Sequence, residues 1–421
     1  MFHSFFPQPK LFFASAAVWT LACIFFWYFV GIELSTNLGF PPLPESAQPV
    51  GAAFFIAPTN LLFYVFFILC SALFCCAWHV FAKDNPWKIW SVWGTAILVF
   101  ITYFGVQMDV AINVWRGPFF NLLQDALAGK PGITDSNFYV LLGKFLEIGA
   151  VGVVVSTFNL FFLSHYVFRW RTAMNNFYMS KWEKLRHIEG ASQRVQEDTM
   201  RFANILEGLG ISLIGSVMTL IVFLPILSEL SKYVTNIPII GALPNSLVWL
   251  ALIWSVLGTV LLALVGVKLP GLNFRNQRVE AAYRKELVYG EDHDDRAQPP
   301  TVRELFTNVR RNYYRMYFHY LYFNFARFGY GQVDAIFLYY VLVPTFVAHQ
   351  ITLGIWQQIS TAFGQVSNSF QYLVSSWTTI IELLSIHKRL KAFEAAIDDE
   401  PLPAIDQHYL EREAGVVHVD G

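Results

Sequence analysis

The chain has 421 residues, of which 55% are hydrophobic and only 14% are charged. This balance excludes an ordinary soluble globular domain, in which about 25% of the residues are charged. The formal net charge of −1 gives no indication of nucleic-acid binding, which requires an excess of positive charge. The composition therefore predicts a membrane protein that contacts lipid and binds no nucleic acid.

Eight apolar stretches are long enough to cross a bilayer, because about 20 helical residues span its hydrocarbon core. In chain order we predict spans at 11–33, 55–82, 88–113, 138–168, 205–231, 246–269, 317–346 and 352–386. The first is too long for the apolar part of a signal peptide, so we expect it to be retained. Backbone polar groups in a bilayer must be paired within their own segment, which predicts an all-α polytopic fold.

The positions of the basic residues predict the orientation. If the chain crosses the membrane eight times, 24 of the 29 Lys and Arg fall on one side. The exceptions are Arg116, Lys130, Lys144 and Lys232, on or towards the other side, and Arg327 within a span. Because Lys and Arg accumulate on the cytoplasmic side, we expect both termini in the cytoplasm and the protein in a bacterial inner membrane.

Three regions follow from this topology. Residues 1–54 are predicted to form an N-terminal helix and a periplasmic loop, residues 55–386 a core of membrane-spanning helices, and residues 387–421 a cytoplasmic tail. Two long polar segments of the core, 169–204 and 268–316, are expected to be cytoplasmic helical extensions. The other loops predicted to face outward are 34–54, 114–137, 232–245 and a short turn near His349.

The charges in the two extensions have helical spacing. Glu197 with Arg201, and Glu280 with Arg284, are four residues apart and can form ion pairs on one helix face. We expect the second extension to break at Gly290 and to restart at Pro299. A capping box at Thr301–Glu304 is predicted to begin the new helix.

Long extensions of this kind, across spans three to eight, resemble the membrane domain of ABC exporters. More specific are the strings HYVFRWRTAM (165–174), RHIEG (186–190), QRVQEDTMRF (193–202), KLPG (268–271) and NQRVEAAYRKELVYGED (276–292). With them the chain resembles the SbmA/BacA family of bacterial peptide transporters over nearly its full length, and it is most similar to the BacA branch.

The resemblance implies an inner-membrane homodimer that imports peptides with the proton gradient. The family's substrates include proline-rich antimicrobial peptides and peptide-derived antibiotics. The BacA branch is also connected with rhizobial symbiosis and with very-long-chain fatty acids. The family is thought to use a ladder of glutamates, and Glu207, Glu280 and Glu291 stand on matching strings.

The sequence contains no G-x-x-x-x-G-K-[ST] string that could cradle phosphates. The residues after Ile386 are too few for a nucleotide-binding domain, so we expect an ABC-exporter-like membrane domain without an ATP site of its own. Neither metal-ligand spacing nor a Ser/His/Asp constellation is present, and the four cysteines lie in apolar spans. We therefore expect no enzyme activity, no metal and no cofactor.

Proton coupling requires carboxylates in or near the membrane, where an ionisable group indicates function by default. The candidates are Glu197, Glu207, Glu280, Glu291, Asp334 and Glu382. Structural alternatives remain open for them, such as ion pairs of Glu197 with Arg201, Glu280 with Arg284 and Asp334 with Arg327. Glu291 lies in an acidic run that is typical of a solvated turn, and Glu382 lies close to His387 and Lys388.

The last predicted span carries too many amides and hydroxyls to face lipid, because unpaired polar groups in hydrocarbon cost several kcal/mol. It lines a water-filled cavity or packs against other helices, and both alternatives stay open. The candidate cavity residues are Tyr317, Gln357, Gln358, Phe363, Gln365, Asn368, Phe370 and Tyr372. An amide-and-aromatic wall suits varied peptides, since it can bond their backbones and stack on proline or arginine.

These features favour a proton-driven importer that carries peptides from periplasm to cytoplasm by alternating access. The alternative is the membrane subunit of an ABC system with a separate ATPase, moving a lipid or a very-long-chain fatty-acyl substrate. A membrane scaffold without transport is a weaker third reading, because carboxylates in so many spans are costly without a use.

Overall fold

The computed structural model describes residues 1–41, 48–186, 191–234, 236–238, 241, 243–292, 295–395 and 397. Within these ranges the chain is helical, with a single isolated bridge between Ile237 and Gly241 and no strand. The predicted all-α class is confirmed for this part of the chain. Residues 42–47, the end of the RHIEG string and the predicted tail after 397 lie outside the described residues.

Thirteen α-helices follow one another along the described chain. They are α1 (Pro9–Phe26), α2 (Ile32–Asn37), α3 (Pro58–Phe81), α4 (Thr95–Leu127), α5 (Asp135–Met179), α6 (Trp182–Leu185), α7 (Ala191–Gln193), α8 (Thr199–Leu230), α9 (Ser246–Gly266), α10 (Leu269–Asp292), α11 (Pro299–Val347), α12 (Leu353–Ser375) and α13 (Trp377–Ala395). Wider π-helical turns at Trp27–Gly31, Ile89–Gly94 and Arg194–Asp198 adjoin these helices without ending them.

Seven helical stretches of the described residues are long and apolar enough to cross a membrane. They are Pro9–Asn37, Pro58–Phe81, Ile89–Leu127, Asp135–Met179, Ala191–Tyr233, Ser246–Asn273 and Pro299–Val347. Each corresponds to one of the first seven predicted spans, which confirms a polytopic membrane protein. The eighth predicted span, 352–386, is divided near Ser376 between α12 and α13 and is not among the seven. A total of eight spans stays a prediction.

The predicted outward loop 114–137 is wrong over its first half, because α4 continues to Leu127 with Pro118 inside it. Proline removes one backbone hydrogen bond, but membrane helices tolerate it where neighbouring groups satisfy the freed carbonyl. The following helix, α5, begins at Asp135 after a cap at Thr134, whose backbone N–H donates to the Asn137 side chain at 3.1 Å.

Two helices are much longer than the bilayer is thick. The 45 residues of α5 and the 49 residues of α11 correspond to about 68 and 74 Å at 1.5 Å per residue. A hydrocarbon core of about 30 Å leaves more than half of each helix outside it. These lengths agree with the expectation that helices extend beyond the membrane, and the cytoplasmic extensions themselves stay a prediction.

The predicted break at Gly290 is wrong, since α10 runs through it to Asp292. A Cβ at Gly290 would lie 2.3 Å from the Cβ of Ala297, in the chain that turns back towards α10. The Ala297 amide also donates to Glu286 Oε1 at 3.0 Å. Glycine is thus required at position 290 because Ala297 approaches the helix closely there, and not because the helix ends.

The predicted capping box at Thr301–Glu304 is also wrong. The helix α11 already begins at Pro299, with Gln298 as its N-cap and no side-chain capping hydrogen bond. Proline at the first position starts the helix instead, because its fixed φ is helical and its missing N–H would be unpaired there in any case. The restart at Pro299 itself was predicted correctly.

The chain divides into two compact units. The first comprises Met1–Ile226, Thr352–Thr361 and Glu382–Gly421. Its core is rich in aromatic rings, with Phe5 stacked on Trp170 at 5.7 Å and Tyr178 against Phe393 at 5.5 Å between ring centroids. Burial of these large rings packs the N-terminal segment and α13 against the C-terminal part of α5.

The second unit comprises Leu227–Ile351 and Ala362–Ile381. Here α9 and α11 approach closely at Gly258, where an added Cβ would lie 2.3 Å from Cζ of Tyr330. Small residues allow helices to approach in this way in membranes. The pair α10 and α11 is joined by a hydrogen bond of 3.1 Å from Asn312 to Asn276.

Candidate functional site

Asp334 lies on α11, within the candidate span Pro299–Val347, and is exposed in the protomer. Its Oδ1 accepts a hydrogen bond of 2.6 Å from the indole Nε1 of Trp254 on α9. The predicted ion pair with Arg327 is not formed, since seven residues separate the two by about 10 Å along the helix axis. Among the described residues, the partner of Asp334 is therefore a neutral donor.

The Trp254 indole is held between two other rings. It stacks on Phe337 with centroids 3.9 Å apart and an interplanar angle of 8°, and on Tyr330 at 5.4 Å and 21°. The Tyr330 hydroxyl donates to the Trp254 carbonyl oxygen at 3.3 Å and accepts from Gln371 Nε2 at 2.9 Å. These contacts fix the direction of the indole N–H towards Asp334.

The C-terminal half of α12 is connected to Trp254 and Tyr330 through an amide and two hydroxyls. Gln371 also donates to Ser367 Oγ at 3.3 Å, and the Ser367 and Ser255 hydroxyls are hydrogen-bonded at 3.0 Å. Ser255 and Ser367 are buried. The polar face of α12 thus pairs with α9 and α11 here, which supports the helix-packing alternative for this part of the predicted cavity wall.

The predicted cavity residues differ in exposure. Tyr317 and Asn368 are exposed, Gln357, Gln365, Phe370 and Tyr372 are half-buried, and Gln358 and Phe363 are buried. Phe363 packs 6.1 Å from Phe337, between ring centroids, at the edge of the Trp254 group. Of the eight residues, only Gln358 and Phe363 are buried, and the other six retain accessible surface in the protomer.

Two of the predicted proton-coupling residues share one arginine in the first unit. Arg201 forms the predicted ion pair with Glu197 at 2.8 Å, and its second nitrogen lies 3.9 Å from Glu382. All three side chains are more than a third exposed. Exposed pairs of this kind contribute about 0–1 kcal/mol, so they order the surface more than they stabilise the fold.

A buried ion pair lies beside them. Asp198, which is 5% exposed, accepts hydrogen bonds from Arg389 Nε at 3.0 Å and Nη2 at 2.8 Å. His387, on the same helix as Arg389, lies over the Phe202 ring. Burial lowers the pKa of His387, and the nearby Lys391 lowers it further, while Glu394 opposes both.

Glu207, Glu280 and Glu291 are the glutamates that the family resemblance implies for proton coupling. Glu207 is half-buried on α8, and Glu280 and Glu291 lie on α10, half-buried and exposed respectively. The predicted pair of Glu280 with Arg284 is not formed, and none of the three glutamates has an ion-pair partner among the described residues. Since α10 persists through Gly290, Glu280 and Glu291 are about 20° apart around one helix.

Arg116, on α4, is one of the four basic residues that the sequence predicted on or towards the outer side of the membrane. Its Nη1 donates to Gln357 Oε1 on α12 at 3.4 Å. The neighbouring Gly117 admits the Gln358 side chain, whose Nε2 would lie 3.0 Å from an added Cβ. The two predicted cavity glutamines at the start of α12 thus lie directly against α4.

Sequence reasoning missed Trp254, Tyr330 and Gln371 as part of a site. Trp254 is 80 residues from Asp334 in the chain, and a tryptophan in an apolar span gives no signal of a carboxylate partner. Gln371 lay in the polar stretch that was predicted to line a cavity, but its tyrosine partner could not be identified. Among the described residues, no group of His, Cys, Asp and Glu could hold a metal ion.

Comparison with known proteins identifies the family of this chain. The sequence model of the SbmA/BacA-like family matches residues 84–398. The chain is 24% identical over 322 residues to the inner membrane ABC transporter ATP-binding protein YddA of Escherichia coli, a match that covers 70% of this chain and 55% of that protein. It is 20% identical over 333 residues to an uncharacterized ABC transporter ATP-binding protein of Synechocystis, covering 75% and 47%.

A plant protein is also similar. ABC transporter D family member 2, chloroplastic, of Arabidopsis thaliana is 23% identical over 270 residues, which are 57% of this chain and 35% of that protein. The chain spans about half the length, or less, of the curated relatives it matches. Seven apolar membrane-length helices and a family match over most of the sequence agree with one another. This chain is a polytopic membrane protein, all-α over the residues that the structure describes, and it belongs to the SbmA/BacA-like family.

Proposed function

We propose that the protein imports peptides across the bacterial inner membrane as a homodimer, driven by protons that move down their gradient. The observation that carries the proposal is Asp334, a carboxylate within a candidate span whose partner is the neutral indole of Trp254. A charge in the membrane is costly, and no cation among the described residues neutralises this one. A bound proton would neutralise it.

The contrast with the two carboxylates that share Arg201 supports this assignment. Glu382 lies outside the candidate spans and Glu197 on the π-helical turn at Arg194–Asp198; both side chains are more than a third exposed, and Arg201 offsets one of their two negative charges. Asp334, Glu207 and Glu280 have no such cation among the described residues. We infer that the proton-coupling role belongs first to Asp334, with Glu207, Glu280 and Glu291 as further proton sites, and that Glu197 and Glu382 act in ordering the inner surface.

In this mechanism, a proton from the periplasm binds Asp334 and cancels the charge that the Trp254 N–H stabilises. The hydrogen bond from Trp254 to the carboxyl then weakens, because a bond to a charged acceptor is worth about 1.5–3 kcal/mol and a neutral one about 1. The stabilising free energy of the contact between α9 and α11 decreases by the difference between these two values. This favours the state in which the peptide cavity opens to the cytoplasm instead of the periplasm. Release of the proton to the cytoplasm restores the first state.

The test is uptake of a labelled proline-rich peptide into proteoliposomes that contain only this protein, with an inward acid gradient and no ATP. Accumulation that a protonophore abolishes is the expected result. Asp334→Asn keeps an acceptor oxygen for Trp254 but cannot bind the proton, so gradient-driven accumulation should be lost while exchange of peptide across the membrane persists. Asp125→Asn, at a carboxylate that pairs with Lys130, serves as the control and should transport like the wild type.

Gradient-driven accumulation by Asp334→Asn at the wild-type rate would exclude Asp334 as the coupling residue. Glu207→Gln and Glu280→Gln would then be compared in the same assay. Loss of coupling in one of these variants would move the role to that glutamate.

A second candidate function follows from the names of the relatives. YddA and the Synechocystis protein are both called ABC transporter ATP-binding proteins, and the chain matches about half of each. In this alternative the chain forms the membrane part of an ATP-driven system that moves a lipid or fatty-acyl substrate. Liposomes that accumulate nothing with a proton gradient, but do so with ATP and an added ATPase partner, would support it.

A further inference from the structure

Arg116 differs from the other basic residues that the topology places on or towards the outer side. Lys130 pairs with Asp125, Lys144 with Glu147 at 2.9 Å, and Lys232 with Glu229 at 2.6 Å. Arg116 has no carboxylate partner among the described residues. Its guanidinium donates instead to the neutral Gln357 amide, at a long 3.4 Å.

The surroundings of Arg116 hold it in place without neutralising it. The side chain is half-buried, and its Nε is buried without a hydrogen-bond partner. A guanidinium offers five N–H donors in a planar fork, and the described contacts use one of them. Four of the five donors, including the buried Nε, are therefore without a described acceptor, which an incoming anion can supply.

Gln357 is placed over Arg116 by the way α12 begins. The first two amides of α12, at Leu353 and Gly354, donate to Gln124 at 2.7 Å and to Asn121 at 2.9 Å, both on α4. Because Gly354 has no side chain, the backbones of the two helices approach closely at Gly117. Gln357 lies one turn further along α12, where its amide reaches the guanidinium.

The chemistry of this pair selects its ligand. A carboxylate accepts two parallel hydrogen bonds from a guanidinium fork, with a geometry that a lysine cannot reproduce. The Gln357 amide, whose oxygen already faces Arg116, carries an N–H₂ group that can donate a further bond to the same anion.

We propose that Arg116, with Gln357 beside it, binds the C-terminal carboxylate of the transported peptide. This inference rests on the proposed peptide import and names a contact by which the substrate is held. A permanent acidic partner is less consistent with the structure, because the three outward lysines find theirs within five residues along the chain, whereas the nearest contact of Arg116 is an amide.

The test measures binding in lipid nanodiscs without any gradient, so it does not depend on proton coupling. One fluorescein-labelled proline-rich peptide is made with a free C-terminal carboxylate and again with a C-terminal amide. Fluorescence polarisation gives the Kd of both forms. For the wild type we expect the amide to bind about tenfold more weakly, as for the loss of one charge-assisted contact.

Arg116→Gln should bind the two forms equally, at the level of the wild type with the amide. Arg116→Lys keeps the charge but not the fork, and should retain part of the preference. The matched control is Lys130→Gln, which removes an outward cation that is already paired, and its preference should equal that of the wild type. Size-exclusion chromatography of each variant shows that it is folded and gives its oligomeric mass.

Equal binding of the two peptide forms by the wild type would overturn this inference alone, as would a preference that persists in Arg116→Gln. A change of oligomeric mass in Arg116→Gln would also overturn it, in favour of an acidic residue from a second copy. If the wild type binds neither form, the peptide substrate class itself is wrong. If the preference holds but no gradient-driven uptake occurs, the inference stands and proton coupling is wrong.

Discussion

Gly354→Ala tests how α12 is held on α4, on which the position of Gln357 depends. A Cβ at Gly354 would lie 2.2 Å from the backbone oxygen of Gly117 and 2.5 Å from Asn121 Oδ1. An ordinary contact between carbon and oxygen needs about 1 Å more. The nearest atom belongs to a helix backbone, so it cannot move aside as the end of a flexible side chain would.

The magnitude follows from two contributions. Forcing an extra methyl group into a packed contact costs about 1–3 kcal/mol. Separating the helices also lengthens the bonds from the amides of residues 353 and 354 to Gln124 and Asn121, each worth about 1 kcal/mol. Because alanine favours helix over glycine by up to about 1 kcal/mol, the expected net loss is about 1–4 kcal/mol.

The assay is thermal unfolding of the purified protein in detergent, followed by intrinsic fluorescence. Gly364→Ala is the matched control, since it is the same substitution in the same helix and an added Cβ meets nothing within 4 Å. Here the gain in helix propensity acts alone, and the melting temperature should stay constant or rise. Equal melting temperatures for the two variants would refute the close packing of α12 on α4.

Three further outcomes are expected. Arg389→Ala leaves Asp198 buried without its cation and should cost about 2–3 kcal/mol, a value reduced from the usual 3–5 because the arginine side chain is 43% exposed. Burial lowers the pKa of His387, so the unfolded chain binds a proton at this residue at a higher pH than the folded chain does. His387 should therefore reduce stability as the pH falls below about 6.5. His387→Asn should remove that part of the pH dependence of the melting temperature. Gly258→Ala places a methyl group 2.3 Å from the Tyr330 ring and should lower the melting temperature of the protein and its uptake rate together.

Each of these predictions has its own control or contrary result. Arg201→Ala removes only an exposed pair and should change stability by less than about 1 kcal/mol, so an equal loss in both arginine variants would contradict the buried-pair argument. An unchanged pH dependence in His387→Asn would assign the acid sensitivity to other groups. Gly329→Ala, on α11 in open space, should be tolerated, and equal harm from both glycine variants would reject the close approach at Gly258.

Local sequence patterns predicted the helices well, because each apolar stretch determines its own structure once it is in lipid. They failed where a tertiary contact decides. Gly290 resembles a helix end, but the structure uses it for the close approach of Ala297. The C-terminal part of α4 resembles a loop because of its polar residues, yet two of those residues, Asn121 and Gln124, bond to the first turn of α12.

The candidate site was predictable only by residue type. A carboxylate in a span could be selected as important, but its partner could not, because Trp254 is 80 residues away and Arg327 offered a nearer charge. For Arg116, the sequence predicted the side of the membrane. It did not indicate that the side chain contacts Gln357, which is 241 residues further along the chain. Pairs that depend on how helices pack need coordinates to be identified.

The contact of Tyr330 with Gly258 lies about 46 Å along α11 from Pro299, at 1.5 Å per residue. If α11 is rigid and pivots at this contact, displacements grow with the distance from it. Tilting α11 by about 10° would move its N-terminal end at Pro299 through about 8 Å, whereas Asp334, one turn from the pivot, would move by only about 1 Å. A displacement too small to disturb packing at the carboxylate can thus swing the far end by more than the width of an extended peptide backbone.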